Sequence, residues 1–167
     1  TLIAAANNAL GSVAGNTVIN SGSSLAFRGG INYSALEPVT ISGNGRLNHG
    51  AISNDSGNCS FAGPITMAAD SSIGGAPGST LTLSGVIGES GGVRVLTKST
   101  AGSLRLTAAN EYSGGTMVNA GTLIIANTTG SATGPGPVAI AAGASLQGPG
   151  SIAGALAIGG TIAPGAS

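Results

Sequence analysis

The feature that most constrains the fold of this chain is that the sequence repeats itself. Shifted by 121 residues, TLIAAANNALGSVAGNTVINSGSSLAFRGGI (Thr1 to Ile31) aligns without a gap on TLIIANTTGSATGPGPVAIAAGASLQGPGSI (Thr122 to Ile152), and eleven of these 31 positions are identical. Self-similarity is typical of proteins that stack similar units. We therefore interpret residues 1–31 as a copy of residues 122–152.

A shorter repeat lies inside the longer one. It begins with two apolar residues spaced two apart and reaches a third apolar residue further along, in VTISGNGRL (Val39 to Leu47), ITMAADSSI (Ile65 to Ile73), VAIAAGASL (Val138 to Leu146) and the shortened LAIGGTI (Leu156 to Ile162). The first two segments begin 26 residues apart and the last two 18 apart. These intervals suit one coil of a solenoid with turns of variable length.

The spacing of apolar residues indicates short strands. Apolar residues recur with period two at Val39/Ile41, Ile65/Met67, Leu81/Leu83, Val93/Val95, Leu104/Leu106, Leu123/Ile125, Val138/Ile140 and Leu156/Ile158. Gly or Pro interrupts almost every window of ten residues, so only AAANNAL near the start could suggest a helix. We expect strands of three to five residues that are bounded by Gly, Asn, Ser and Pro.

The composition favours stacked backbones over a thick core. Charged residues are 6% of the chain and aromatic residues 2%, and 31 residues are Gly. Coils of about 20 residues cannot bury their own apolar faces, but stacking at roughly 4.8 Å pairs each strand in parallel with its neighbours. The sequence thus predicts an all-β parallel β-helix (β-solenoid) of about seven to eight coils, roughly 35 to 40 Å long. A sandwich or propeller is the alternative, but Asn-Gly and Asp-Gly hairpin signals are few.

The distribution of charge and the length of the apolar runs argue against two classes of partner, nucleic acids and membranes. The formal net charge is zero, and the basic residues are scattered, at Arg28, Arg46, Arg94, Lys98 and Arg105. Without a basic stripe we expect no nucleic-acid partner, and no apolar run approaches the length that spans a bilayer. Cys59 is the only cysteine, which allows no internal disulfide. Because the chain begins with Thr1, we expect a piece of a longer protein whose targeting signals lie elsewhere.

The acidic residues are the first candidates for chemistry. They are Glu37, Asp55, Asp70, Glu89 and Glu111. A solenoid could stack Asp55 with Asp70, or Glu89 with Glu111, as carboxylates cluster in pectin-degrading β-helices. Like charges above one another repel, however, and these residues occur where turns are expected. We therefore interpret all five as turn residues.

The other candidates also have structural interpretations. His49 lies in the polar stretch NGRLNHGA, and no G-x-S-x-G motif accompanies it, so we expect an exposed turn histidine. Cys59 and Phe61 alternate in NCSFAG and should both point inward. Tyr112 resembles Phe61 because a small residue and then a glycine come after each, and we expect core or corner packing for both, with sugar stacking as the alternative. Thr80 and Thr82 do not recur at coil spacing, so no ice-binding array is indicated.

Asparagines and metal ligands are the last candidates. Four asparagines are placed to satisfy backbone groups in turns, namely Asn54, Asn58, Asn110 and Asn119. The calcium-binding nonapeptide GGxGxDxUx is absent. We predict no catalytic residue, no metal site and no cofactor.

The stretch ANEYSGGTMVNAGTLII (Ala109 to Ile125) has a recognisable order of residues: Asn, an aromatic, Ser, Gly-Gly-Thr, a β-branched run and Ala-Gly-Thr-Leu. It resembles the passenger-associated strand repeat of bacterial autotransporters. Further stretches resemble the same passenger stems: Gly50 to Gly75, Ser79 to Gly88, Val95 to Thr116, and GGTIAPGAS at Gly159 to Ser167. Only residues 32–48 rest on pattern alone.

The resemblance implies a fold, an export route and a location. Passengers of this kind are similar in being long right-handed β-helices exported by type V secretion through a C-terminal outer-membrane β-barrel, which this chain does not contain. We expect one stem segment over residues 1–167, on the bacterial cell surface or secreted. Its partners would be a host surface or its own copies, and it would meet the membrane only through the barrel.

Within the motif, we expect Tyr112 to be a packed corner, Gly114 and Gly115 a turn, and Met117 and the run Leu123 to Ile125 successive walls of one coil. Three functional hypotheses remain open. The first is a non-enzymatic stem that supports adhesion or self-association and assists export. The second is a fragment of a β-helical enzyme acting on polysaccharide. The third is a module that forms filaments.

Overall fold

The computed structural model describes residues 1–165 as a parallel β-solenoid of about seven turns. Ala166 and Ser167, which end the GGTIAPGAS stretch, lie outside the described residues. Every strand pairing in the described part of the chain is parallel, and consecutive partners lie one coil apart, for example Leu25 with Ile52. This arrangement confirms the predicted solenoid over the sandwich and the propeller, whose strands pair largely antiparallel.

The strands form three walls. Wall one contains β2 (Thr17–Ile19), β5 (Val39–Gly43), residues 65–67 of β8 (Ile65–Gly75) and β10 (Ile87–Glu89). Wall two contains β1 (Leu2–Ala4), β3 (Leu25–Phe27), β6 (Ile52–Asn54), residues 71–75 of β8, β11 (Leu96–Lys98), β13 (Thr116–Val118), β15 (Val138–Ile140) and β17 (Leu156–Ile158). Wall three contains β4 (Asn32–Tyr33), β7 (Asn58–Phe61), β9 (Thr80–Leu83), β12 (Ser103–Leu106), β14 (Thr122–Ile125), β16 (Ser145–Gly148) and β18 (Thr161–Pro164).

Wall one loses its regular strands after β10, but its coils stay bonded. The backbone N–H of Glu111 donates to the carbonyl of Ile87, and the N–H of Ala132 donates to the carbonyl of Ser151. The later coils therefore close through loop-like segments that still hydrogen-bond from coil to coil.

The core is a narrow aliphatic column between the walls. The predicted period of two is confirmed in most strands, because both members of the pair are buried, as with Leu81 and Leu83 in β9 or Leu104 and Leu106 in β12. The spacings of the short repeat are also confirmed, since Val39 pairs with Ile65 and Val138 with Leu156.

The strand predicted at Val93 and Val95 is wrong. Val93 is 65% exposed, and the strand begins only at Leu96. Side chains hold the preceding segment as a corner, because the N–H of Arg94 donates to Glu89 Oε2 (2.6 Å) and the N–H of Val95 donates to Asp70 Oδ1 (2.9 Å). These two N–H groups are bound by carboxylates and do not join the ladder between strands.

Leu47 also departs from the predicted pattern. The short repeat predicts it on a wall, but it is 71% exposed in a single 3-10 turn (Arg46–Asn48), where its φ is 53°. The chain leaves the solenoid after β5 and returns at β6, so Ile52 takes the inward position. The AAANNAL segment forms a turn and not a helix.

Leu156 and Ile158 lie on wall two as predicted but are exposed, by 36% and 55%. Strand β17 pairs with β15 on one side and has no partner on the other among the described residues. Within the described residues no coil follows β17, so its inward-facing positions are exposed.

An aromatic cluster fills the core near the N-terminal end. The ring centroid of Phe27 lies 6.3 Å from that of Tyr33 and 5.5 Å from that of Phe61. The segment before β2 covers this cluster, because the N–H of Leu10 donates to Tyr33 Oη (3.2 Å). Three of the four aromatic residues of this chain are thus concentrated near one end of the column.

The two copies of the long repeat fold alike but on different walls. Leu2 pairs with Leu25 as Leu123 pairs with Leu146, so the register within each copy is the same. However, β1 and β3 belong to wall two, whereas their counterparts β14 and β16 belong to wall three. The repeated unit specifies three strands and the connections between them, and it does not specify which walls these strands occupy.

Candidate functional site

A groove of about 430 Å3 runs along the corner where β6 ends, and we call it the corner groove. Its sides include His49, Ser53 and Asp55 from one coil, with Pro77 and Thr100 from the next two. It is the place where the structure brings three residue types of hydrolytic triads together. Its geometry decides whether they can act as one.

The three side chains do not form a proton relay. Ser53 Oγ donates directly to Asp55 Oδ1 (3.3 Å). The side chain of His49 is exposed and makes no hydrogen bond to either residue within the described chain. In a triad the histidine lies between the serine and the acid, because it must accept the serine proton. His49 is therefore an exposed turn residue, as predicted, at the edge of a polar groove.

The acids do not gather into a carboxylate pair. Asp55 and Glu111 are exposed in connections, while Asp70 lies inside β8 and Glu89 ends β10. Glu89 does not stack with Glu111 as the alternative required. It accepts instead from the hydroxyl of Ser113, which donates to Glu89 Oε1 (2.5 Å). Within residues 1–165, no three His, Cys, Asp or Glu side chains come together as a metal site would require.

Three of the acids therefore differ from the turn prediction: Asp70 and Glu89 lie in strands, and Glu37 is buried. Glu89 holds a corner, because its carboxylate accepts from the Ser113 hydroxyl and from the Arg94 N–H; the hydrogen bond from Ser113 is the main reason that the pKa of Glu89 lies below its usual range. Glu37 is in a connection but is only 2% exposed. Its Oε1 accepts from Thr17 Oγ1 (3.1 Å), and its Oε2 is buried without a partner in the described structure.

Two of the four predicted asparagines hold coils together. Asn110 is buried; its Oδ1 accepts from the N–H of Ile87 (2.7 Å) and its Nδ2 donates to the carbonyl of Ala132 (2.6 Å). One side chain thereby joins three successive coils on wall one, where regular strands are missing. Asn54 Nδ2 likewise donates to the carbonyls of Gly57 (2.8 Å) and Thr80 (2.9 Å).

The other two asparagines, Asn58 and Asn119, are exposed and make no side-chain hydrogen bond to the part of the chain that the structure describes. Sequence reasoning missed Asn127, which is buried and accepts from the N–H of Ser151 (2.9 Å). Its signal was available, because Asn127 follows the apolar run of β14 by two residues.

Lys98 is the other residue that sequence reasoning missed. It occupies an inward position of β11, paired with Ile73 on one side and Val118 on the other, and it is 1% exposed. Its Nζ donates to the carbonyls of Thr100 and Ala120 (3.1 Å to the latter). Burial lowers the pKa of Lys98 to about 8. The period of two from Leu96 would have placed it inward.

The remaining candidates pack as expected. Cys59 and Phe61 are buried, and Cys59 Sγ lies 3.6 Å from the carbonyl oxygen of Ser56. Tyr112 is fully buried and shares a hydrogen bond with Thr116 Oγ1 (2.6 Å), and burial raises its pKa. Phe61 and Tyr112 are not equivalent, however, because Phe61 lies in β7 and Tyr112 precedes β13.

The ANEYSGGTMVNAGTLII segment makes a corner and two walls. Tyr112 forms the corner, and Gly115 turns the chain with φ of 94° at a point where an added Cβ would lie 2.4 Å from the carbonyl oxygen of Pro137 in the next coil. Met117 is on wall two, as predicted, but it points outward and is 46% exposed; Thr116 and Val118 point inward.

Residues 96–125 match the family model described as the passenger-associated-transport-repeat. This stretch is thus similar to a passenger transport repeat. The matched residues run from β11 through β12 and β13 to β14, which is about one and a half turns of the solenoid. Repeat and solenoid together fit a fragment of an autotransporter passenger.

No curated protein and no solved structure matches the chain. Among the described residues, no helix has the length and apolar character needed to pass through a bilayer. The passenger repeat indicates a structural role in a secreted or surface-exposed protein.

Proposed function

We propose that this chain is a non-enzymatic stem of a passenger on the bacterial cell surface, where it supports adhesion or self-association and assists export. The observation that carries the proposal is the match of residues 96–125 to the passenger repeat, within a ladder of parallel strands that continues on both sides of it. The repeat thus forms part of a continuous rod.

The mechanism of export assistance follows from the ladders. Each finished coil presents a row of unpaired backbone N–H and C=O groups on its open edge, and the next coil can pair with them at once. Pairing is local from coil to coil, so a chain that emerges gradually can fold in the order in which it emerges. Folding outside the cell would oppose backward sliding of the chain.

The experiment places the full chain between a signal peptide and an outer-membrane translocator. Gly115→Ala should lower the surface level several-fold, because the added Cβ would meet the Pro137 carbonyl oxygen at 2.4 Å and block stacking. Gly88→Ala is the matched control, since nothing lies within 4 Å of its added Cβ. Antibody binding to intact cells measures the surface level, against total expression. Normal display of Gly115→Ala would contradict export assistance.

Self-association is proposed through the outer face of wall two. Met117, 46% exposed on that face, offers an apolar contact beside its register partner Ala139. Sedimentation velocity across a concentration series should show association that Met117→Asp weakens. Val13→Asp is the control, because Val13 is 53% exposed in the connection before β2 and not on that face. A monomer at every concentration would sink this part of the proposal.

Adhesion needs its own measurement. Bacteria that display the chain should be retained on host cells, or settle together in suspension, more than bacteria that display the translocator alone. Equal retention and equal settling would contradict the adhesive role and leave the export proposal to its own test.

A further inference from the structure

The loop between β5 and β6, residues 44–51, folds back over the outer side of wall two. The N–H of Gly50 donates to the carbonyl of Asn44 (2.9 Å) and closes the loop at its base. Both Leu47 and Asn48 have positive φ, 53° and 60°, which is uncommon outside glycine. Ser53, an outward-facing residue of β6, is buried although it faces away from the core.

A second groove, of about 320 Å3, opens on this outer side, and we call it the polar groove. It is lined by Asn44, Asn48, Ser72, Thr97, Ser99 and Asn119. Ser72 and Thr97 are register partners on adjacent coils. The groove therefore combines a protruding loop with the fixed outer surface of three coils.

The lining of the polar groove has hydrogen-bonding capacity that the chain leaves unused. The Ser72 hydroxyl is buried without a partner in the described structure, and Ser72 is 1% exposed. The side chains of Asn44, Asn48, Thr97 and Asn119 make no hydrogen bond to residues 1–165, whereas Ser99 Oγ lies 3.4 Å from the Ile73 carbonyl oxygen. A buried hydroxyl without a partner is costly, so something bound beside it would be expected to supply one.

The side chains that line the polar groove indicate which class of ligand it could bind. Three amides and three hydroxyls offer both donors and acceptors, and none of the six residues carries a charge. An anion would find no Arg or Lys there, and a metal cation would find no carboxylate. The volume lies at the lower end of the range for ligand pockets, about 300 to 1,000 Å3.

We propose that the polar groove binds a neutral saccharide of one or two rings, whose hydroxyls pair with the amides of the loop and the hydroxyls of wall two. No aromatic side chain lines the groove, so a single site is weak, with a dissociation constant of about 1 mM. Many copies on one surface would raise the overall avidity without any new contact. This inference goes beyond the stem function, which does not require a ligand.

The test uses the full chain, labelled with 15N, and four neutral disaccharides as probes: cellobiose, maltose, lactose and chitobiose. At least one of them should shift the backbone amide signals of Ser72, Thr97 and Asn119 in a saturable way. Replacing Thr97→Val together with Asn119→Ala should weaken binding at least about fivefold, the effect of losing one hydrogen bond or more.

The control carries the same two substitutions on wall three, Thr82→Val with Asn58→Ala, and should bind as the unchanged chain does. Thermal unfolding of both double variants checks that neither loses its fold. The proposal is overturned if none of the four disaccharides shifts these amides, if the groove variant binds as tightly as the control, or if sulfated disaccharides bind in preference to the neutral ones.

Discussion

At the scale of single residues, buried polar side chains bind backbone groups that strands would otherwise pair. Asn110 substitutes for a missing strand on wall one, and Lys98 places a charge-bearing chain in an aliphatic column. Both satisfy backbone groups of neighbouring coils. Buried polar residues should therefore contribute much more to the stability of this chain than exposed ones.

Lys98 makes the stability of the rod depend on pH. Its pKa is about 8 in the folded chain and 10.5 when unperturbed, so between these values the unfolded chain holds a proton that the folded chain lacks. Through Lys98 the free energy of unfolding should rise with pH across this window, and below the window Lys98 adds no pH dependence. The raised pKa of Tyr112 acts in the opposite sense above about pH 10.

Lys98→Met should abolish the rise, which we expect to be roughly 1 to 3 kcal/mol. Urea unfolding at several pH values measures it. Because Lys98 is the only lysine, its side-chain carbon signals can also be followed directly by NMR. A titration midpoint near 10.5 would show that the burial argument is wrong.

Asn110→Ala should destabilise the chain by about 2 to 4 kcal/mol, because it leaves the N–H of Ile87 and the carbonyl of Ala132 without partners. Asn58→Ala is the matched substitution at an exposed position and should change stability by less than about 0.5 kcal/mol. Urea midpoints of the two variants give the comparison. Similar midpoints would contradict the bridging role.

At the scale of elements, corners decide where a strand begins. The run GGVRVLTK could place its inward residues at Val93 and Val95 or at Leu96 and Lys98, and both alternatives have period two. Carboxylates of Glu89 and Asp70 bind the N–H groups of Arg94 and Val95, which settles the choice in favour of the later strand. A side chain from a neighbouring coil thus sets the phase of β11.

The start of β11 at Leu96 predicts that two nearby apolar residues differ in their contribution to stability. Leu96→Ala should cost about 2 to 5 kcal/mol because it leaves a cavity in the core, whereas Val93→Ala should stay within about 0.5 kcal/mol. Thermal unfolding of the two variants under the same conditions distinguishes them. A larger loss from Val93→Ala would mean that the strand begins earlier.

Much of the fold could be predicted from the sequence because a solenoid repeats one local pattern. The pairs Val39/Ile41 and Leu123/Ile125 are buried as their spacing indicates. The loop at Leu47 could not be predicted, since it depends on positive φ at residues that are not glycine. The polar groove was equally hidden, because Asn44, Ser72 and Asn119 meet only through the register of coils.

At the scale of the whole molecule, the rod is held by contacts between neighbours in the stack. Interior strands such as β9 and β12 pair on both sides, while β17 and β18 pair on one side within the described chain. Stability in such a structure is approximately a sum of coil and interface contributions. Stability should therefore be lower in strands that pair on one side only than in strands that pair on both.

Amide hydrogen exchange should show this difference. Amides of Leu81 and Leu104 should exchange most slowly, and those of Leu156 and Ile158 faster by at least about tenfold, because the last coil can open without disturbing the rest. Uniform protection along the chain would indicate instead that the rod opens as one cooperative unit.

The matching strands of the two long copies lie on different walls, and this bears on how such rods can lengthen. Residues 1–31 and 122–152 keep the same internal register while their matching strands lie on different walls. In a rod with three walls, the same pattern of strands can therefore begin on different walls. A duplicated or exchanged piece of gene need not encode whole turns to fit, because a strand and its corner can be accepted at any of the three sides.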